Sequence, residues 1–229
     1  MLIERSAEAT AIPLNDVARD HALRAPALSR AKRTLDIVAA GGALAMFGIL
    51  LGIIALAILI MEGRPILIRH RRIGRNGVSF PCFKFRTMVR DADAALSRYL
   101  ASHPEASAEW RETHKLKRDP RVTPLGRVLR DTSLDELPQL FNILRGEMSL
   151  VGPRPIVADE IKRYGIAFAD YKAVRPGLTG LWQCSGRNDV SYEQRVQMDS
   201  QYVRSWSLYS DLAIIVKTVP AVIKSRGVY

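Results

Sequence analysis

The run from Ile37 to Met61 carries no charged or polar side chain, and it constrains the fold of this chain more than any other stretch. As a helix it is about 37 Å long at ~1.5 Å per residue, against a bilayer hydrocarbon core of ~30 Å. It is too long for a signal-peptide core and begins too far into the chain. A membrane anchor is the leading reading and a buried core helix the competing one. Both flanks are basic: Arg24, Arg30, Lys32 and Arg33 precede it, and Arg64, Arg69, Arg71 and Arg72 follow it. Equal flanks set no orientation under the positive-inside rule and are consistent with both ends on the cytoplasmic side. An N-terminus outside the cell is the alternative. Gly41, Gly42, Gly48 and Gly52 can soften the helix; for Gly48 and Gly52 the alternative is close GxxxG packing. This divides the chain into a mobile tail (1–30), an anchoring helix (31–63) and a domain (64–229).

Charge points the same way. With 34 Lys and Arg against 23 Asp and Glu, the net charge is +11 over 229 residues. A strongly basic protein wants an anionic partner. Aromatic residues are few and no nucleic-acid motif is present, so lipid headgroups or a phosphorylated substrate are expected rather than nucleic acid. The two cysteines, Cys82 and Cys184, form no CxxC pair, which fits a reducing compartment. His21, His70, His103 and His114 are scattered, form no metal-binding pattern and receive no role.

Beyond the anchor, Ile66–Arg72 and Val78–Arg86 flank Gly74-Arg75-Asn76-Gly77, the signature of a β-hairpin. Lys84 and Arg86 alternate with Phe83 and Phe85, so the period of two puts both cations on one face. That face is either a phosphate-binding surface or a solvated strand edge. Residues 91–100 and 105–116 read as helices split by Pro104. Arg127 and Arg130, three apart, share one helical face suited to a diphosphate or to lipid heads.

The stretch TSLDELPQLFNILRGEMSLVGPRP, Thr132 to Pro155, carries the chemistry. Ser133 and Glu136 have capping-box spacing, and Leu134, Leu137, Leu140, Phe141 and Leu144 give a helix one apolar face. Asp135 and Glu136 are adjacent, so on a helix they point about 100° apart and take different roles. One can attack a phosphorus while the other holds a metal. The plainer alternative is that both merely cap the helix and favour its dipole. Arg154 sits between two prolines in a stiff turn, where a guanidinium's planar fork is ordered at low entropic cost to grip phosphate. Arg175 to Asn188 is a Gly-rich polar loop with no P-loop or GxGxxG pattern. Gln183, Arg187 and Asn188 there suit hydrogen bonding to a sugar or to uracil. Leu208, Leu212, Ile215, Val216, Val219, Val222 and Ile223 form an apolar stripe near Lys217, Lys224 and Arg226, as in a helix lying in a membrane interface or packed on a core.

These blocks together resemble the bacterial sugar transferases, the monotopic polyprenyl-phosphate sugar-1-phosphate transferases. The resemblance runs from Lys32-Arg33-Thr34-Leu35-Asp36 through Arg72-Ile73-Gly74-Arg75-Asn76-Gly77 and Lys84-Phe85-Arg86-Thr87-Met88. It continues through the dyad stretch to Arg175-Pro176-Gly177-Leu178-Thr179-Gly180 and the region Gln183 to Asn188. Asp199, Tyr202, Ser207 and Asp211 match a later family block. All of the chain after about residue 30 is covered. Leu181-Trp182-Gln183 and the C-terminal residues look most like exopolysaccharide galactosyl-phosphate transferases.

The resemblance implies an α+β fold, mostly helical, with a re-entrant or spanning N-terminal membrane helix and a small β-hairpin. It also implies interfacial amphipathic helices and a catalytic domain on the cytoplasmic face of the bacterial inner membrane. The family's anchor usually breaks at a Ser-Pro pair; here Gly48-Ile49 stand at those positions. The implied reaction moves a hexose-1-phosphate, galactose-1-phosphate first and glucose-1-phosphate second, from a UDP-sugar to undecaprenyl phosphate with release of UMP. Asp135 is the implied nucleophile and Glu136 the Mg²⁺ ligand. Lys84, Arg86, Arg154, Arg175, Gln183 and Arg187 are the implied substrate-binding residues. A homo-oligomer is compatible with this reading. The rival from another class is a non-catalytic, membrane-tethered basic module that regulates polysaccharide assembly.

Overall fold

The computed structural model describes residues 26–113, 116–185 and 190–224. The expected N-terminal tail lies largely outside them, but Pro26 is already buried, so the ordered domain reaches back into residues assigned to that tail. Helix α1, Arg30–Met61, is continuous through Gly48 and Ile49 and starts earlier than the apolar run, capped by the Ser29 side chain on the Lys32 amide. It is long and apolar enough to cross a membrane. One face of α1 packs on the domain at two patches. Ala40, Ala43 and Leu44 meet Phe80, Cys82, Leu140 and Ile143. Further along, Ile54, Ala55 and Ile58 meet Phe85 and Leu129. The opposite face is bare, with Ile49 82 % and Ile60 74 % exposed. A side chain added at Gly41, Gly42, Gly48 or Gly52 would meet nothing within 4 Å, so these glycines serve no close helix packing among the described residues.

The hairpin forms where expected. β1 (Leu67–Ile73) pairs antiparallel with β2 (Ser79–Phe85), from Leu67 opposite Phe85 to Ile73 opposite Ser79. Asn76 and Gly77 take the left-handed backbone the turn needs, at φ 60° and 76°. Helices α2 (Ala92–Ser102) and α3 (Pro104–Thr113) follow, divided at Pro104 as its missing N–H dictates. α4 spans Pro124–Asp131, with Thr123 capping the Gly126 amide. α5 is Gln139–Arg145. Its Asn142 covers the free edge of β2, accepting from the Phe83 amide at 3.0 Å and donating to the Pro81 carbonyl at 2.7 Å.

β3 (Ser149–Val151) runs parallel to β4 (Gly177–Thr179). Short helices α6 (Ile161–Tyr164) and α7 (Phe168–Ala173) lie between them. α8 (Leu181–Ser185), α9 (Tyr192–Arg204) and α10 (Leu208–Lys224) complete the fold. The start of α1 is plugged into β3 by polar contacts. Asp36 accepts from the Ser149 hydroxyl and the Leu150 amide, both at 2.9 Å. Lys32 donates to the Val151 carbonyl at 2.9 Å and pairs with Asp211 at 2.7 Å. The architecture is therefore mostly helical with two small sheets, and α1 is part of the domain's core.

Candidate active site

The dyad does not open a helix. Ser133 adopts a left-handed conformation at φ 56°, its side chain caps nothing, and Leu134–Glu136 form a single 3₁₀ turn. α5 begins three residues later behind Pro138. The capping-box expectation fails because the Thr132–Ser133 backbone reverses out of α4 before any new helix can start. The expected divergence of the two carboxylates is also corrected, since both converge on one ammonium. Lys84 Nζ is 2.5 Å from Glu136 Oε1 and 4.0 Å from Asp135 Oδ2. Lys84 reaches them from β2. Asp135 is the more enclosed acid, with its side chain 11 % exposed against 34 % for Glu136. Burial pushes the Asp135 carboxyl up to about 6, with Lys84 opposing, Glu136 adding to the rise and Arg130 opposing.

The dyad opens into a cavity of about 1430 Å³. One part of its wall is cationic: Arg72 from β1, Lys84 from β2, Arg127 and Arg130 from α4, and Arg154 from the turn after β3. Another part is apolar and comes from α1, including Ala43, Met46 and Phe47. Arg130 is oriented by Nε donation to the Thr87 hydroxyl at 2.9 Å. α4 sits close enough to do this because Gly126 lies against the Thr87 backbone, where any side chain would overlap it. A smaller recess of about 50 Å³ beside the dyad is lined by Cys82, Gln139, Arg154 and Gln183.

The Arg154 turn is braced from below. Gly152 donates to the Thr179 carbonyl at 2.9 Å, and Gly177 donates to the Pro153 carbonyl at 2.8 Å. A side chain on Gly152 would come within 2.5 Å of the Arg175 carbonyl, so the two strands can meet only at glycine. Arg154 thus projects from the β3 end of a small parallel sheet into the space above the dyad.

Comparison with known proteins identifies this arrangement. The family model described as bacterial sugar transferase matches residues 27–225. The chain belongs to the bacterial sugar transferases. Similar members of the family include the exopolysaccharide production protein ExoY of Rhizobium meliloti, 55 % identical over 87 % of this chain and 88 % of that protein. The undecaprenyl-phosphate galactose phosphotransferase of Salmonella typhimurium is 50 % identical over 86 % of this chain, though over only 41 % of that longer protein. The UDP-glucose:undecaprenyl-phosphate glucose-1-phosphate transferase of Caulobacter vibrioides is 40 % identical over 86 % and 72 % of the two chains.

Within this bacterial sugar transferase, the residues expected to bind substrate divide into two groups. Lys84, Arg154 and Gln183 line the cavity with Asp135 and Glu136. Arg86 does not. It lies one residue past the last paired position of β2 and turns to the end of α1, donating to the Glu62 and Gly63 carbonyls, each at 2.9 Å. It caps the C-terminal end of α1, and strand alternation alone could not foresee that those carbonyls would claim its guanidinium. Arg175 is likewise drawn off, donating to the Gly146 carbonyl at the end of α5 at 2.8 Å. Arg187 and Asn188 lie outside the described residues.

Other cavity residues escaped the sequence reading. Arg72 and His70 project from the same face of β1, paired with Phe80 and Cys82 of β2, and the alternation of that strand was the signal available for them. Trp182 and Arg195 left no such signal, because α8 and α9 reach the cavity only through tertiary packing. Asp211, a family-block residue without an assigned role, sits under the anchor as the partner of Lys32.

Proposed function

We propose that this sugar transferase moves a hexose-1-phosphate from a UDP-sugar to undecaprenyl phosphate, releasing UMP, as the first membrane step of exopolysaccharide synthesis. The observation that carries this reading is the enclosed Asp135 carboxylate, beside Lys84, in a cavity whose wall is part guanidinium and part apolar membrane helix. Few other reactions need both surfaces around one carboxylate. Galactose is the favoured sugar, from the name and 50 % identity of the Salmonella relative, and glucose the second, from the Caulobacter one at 40 %.

An Asp135 oxygen attacks the phosphorus that bears the sugar. The bond from that phosphorus to the bridging oxygen breaks, and UMP departs with the electron pair. Asp135 is left as an acyl phosphate carrying the sugar. An oxygen of the lipid phosphate then attacks the same phosphorus, the acyl-phosphate P–O bond breaks, and the carboxylate is regenerated. One phosphoanhydride replaces another, so no nucleotide triphosphate is consumed. Lys84 and Arg154 supply positive charge for the transferring group. The donor set suits a hard cation. Magnesium takes one or two carboxylates and completes its shell with substrate phosphate, and Glu136 with Asp135 offers that much in the open cavity. When bound, the ion would neutralise charge on the phosphoryl group.

The placement of α1 supports a domain held on one face of the bilayer, the cytoplasmic face of the inner membrane. A helix crossing outright would carry one end ~30 Å from the domain. Here both Lys32 and Ile58 are buried in the domain. The reading is tested by incubating purified protein with UDP-galactose, Mg²⁺ and undecaprenyl phosphate. UMP is expected, and UDP-galactose alone should leave a galactose-phosphate adduct on Asp135. Absence of UMP with both sugars would leave the non-catalytic binding module as the better account.

A further inference from the structure

Two buried amides stand three residues apart on α5, and the fold uses only one of them. Asn142 is saturated: it accepts from the Phe83 amide at 3.0 Å and donates to the Pro81 carbonyl at 2.7 Å and to Glu147 Oε2 at 2.6 Å. Gln139 is 3 % exposed, yet among the described residues its side-chain amide makes no hydrogen bond. Its nitrogen and oxygen are not fully enclosed, and the surface they keep faces the small recess beside the dyad, whose wall Gln139 joins. Buried polar groups in folded proteins are hydrogen-bonded almost without exception. This amide is therefore poised to bond to whatever enters the recess.

The lining of the recess says what that is. Arg72, Lys84, Glu136 and Arg154 line both the recess and the large cavity, so its charged side chains stand at the boundary between the two. The part that belongs to the recess alone comes from Cys82, Gln139, Pro155 and Gly177 and carries no charge. Burial pushes the Cys82 thiol up to about 11, so it stays neutral. A phosphate belongs at the boundary, among the cations. The interior suits an uncharged group that both donates and accepts, as an amide does. Hydroxyls meet that description, and a prenyl chain does not. The volume, about 50 Å³, has room for roughly three to five water-sized groups at ~10–15 Å³ each.

The direction of the proposed reaction selects among the hydroxyls of the donor. In a phosphoryl displacement the attacking oxygen, the phosphorus and the departing oxygen lie roughly in line. The nucleotide leaves on the side opposite Asp135. The sugar is joined to the same phosphorus through an oxygen off that axis, so it projects sideways, level with the dyad, where the recess lies. We infer that the recess is the sugar pocket of the donor site and that the Gln139 amide reads hydroxyls on one edge of the hexose ring. A space of this size takes an edge rather than the whole ring. The inference rests on the transferase reading and makes Gln139 a residue that determines sugar specificity.

Hydroxyls come from the hexose or from the ribose of the nucleotide, so the test has two arms. Full-length protein is assayed for UMP formation with UDP-galactose, UDP-glucose and the singly deoxygenated analogues of whichever it accepts, and for inhibition by added UMP. If the wild type forms no UMP with either sugar, the transferase reading fails and this inference falls with it. If it does, Gln139→Leu and Gln139→Met, which keep the volume and drop the amide, should lower kcat/KM for the UDP-sugar by roughly ten- to thirtyfold. The Ki for UMP, which carries no hexose, and the KM for undecaprenyl phosphate should stay within about twofold. The analogue lacking the contacted hydroxyl should cost the wild type a similar factor and cost either variant less than about twofold. A merely structural role would not produce that cancellation. Melting curves should not fall, since the amide has no internal hydrogen bond to lose. The inference is overturned if kcat/KM is unchanged in both variants, which would mean that the amide holds only water. It is equally overturned if the Ki for UMP rises in step, which would put the ribose in the recess, or if no deoxygenation penalty cancels.

Discussion

Two lysine–aspartate pairs among the described residues differ in how completely they are satisfied. Lys32 spends its ammonium on three acceptors: Asp211 at 2.7 Å, the Val151 carbonyl at 2.9 Å and the Tyr202 hydroxyl at 3.2 Å. Asp211 also receives the Tyr202 hydroxyl at 2.8 Å and the Trp206 indole N–H at 3.1 Å. Lys84 instead serves Glu136 closely and Asp135 only at 4.0 Å, at the edge of an open cavity. The first pair is saturated and holds α1 to β3. The second leaves Asp135 enclosed but underbonded, which raises its basicity and keeps it accessible to a phosphorus. Saturation makes an ion pair structural, and the lack of it is what a nucleophile requires.

The largest expected effect is on the unsaturated pair. Asp135→Asn should lower turnover by about 10⁴-fold or more, read as UMP release. The same change should raise the melting temperature. Asp135 binds its proton more tightly folded than unfolded, so above pH 6 its charge works against the native state. Removing that charge returns roughly 1–3 kcal/mol, or about 2–12 °C for a chain of this size. A fall in melting temperature would mean that the carboxylate is stabilising and that the contrast with Asp211 is wrong.

The saturated pair should behave the other way. Asp211→Leu alone strands a buried ammonium and should cost about 3–5 kcal/mol of stability. The double change Lys32→Met with Asp211→Leu should recover most of that loss, as measured by denaturant unfolding in detergent. If the double variant is as unstable as the single, the pair does more than hold two elements together. The pH profile gives a third, smaller test. In the proposed reaction Asp135 attacks as a carboxylate, so kcat should be flat above about pH 7 and fall about tenfold per unit below about pH 6. The smallest effect belongs to Arg175, which is turned toward the Gly146 carbonyl. Arg175→Lys should change the UDP-sugar KM by less than about twofold while lowering stability by roughly 1 kcal/mol.

The parts of this fold legible in the sequence were those written in local chemistry. Asn76-Gly77 announced the hairpin, Pro104 divided two helices, and an uninterrupted apolar run marked α1. The Gly-Pro-Arg-Pro turn presented Arg154 as its stiffness implied. What misled was local pattern carried past the end of an element. Ser133 and Glu136 have capping-box spacing, yet the backbone at Ser133 turns left-handed and no helix starts there. Arg86 continues the strand alternation by one residue and is captured by the carbonyls at the end of α1. Lys32 looked like a flanking charge and Asp36 stood only in a block of the family resemblance, but both are buried contacts of β3. The approach of Arg154 and Arg195 to the Trp182 ring depends on α8, α9 and the β3 turn meeting, and no single segment records that.

The contact of α1 with β2, α4 and α5 has a practical corollary. Cutting the chain after Met61 would uncover Phe80, Cys82, Phe85, Leu129 and Ile143 at once and take Lys32 and Asp36 away from β3. The strand that loses them leads directly into Pro153 and Arg154. A water-soluble fragment would therefore be missing a wall of the cavity around the dyad, and its inactivity would say nothing about tethering. For this protein the amphiphile used for extraction acts as a reagent, since whatever surrounds α1 also sets the shape of the cavity.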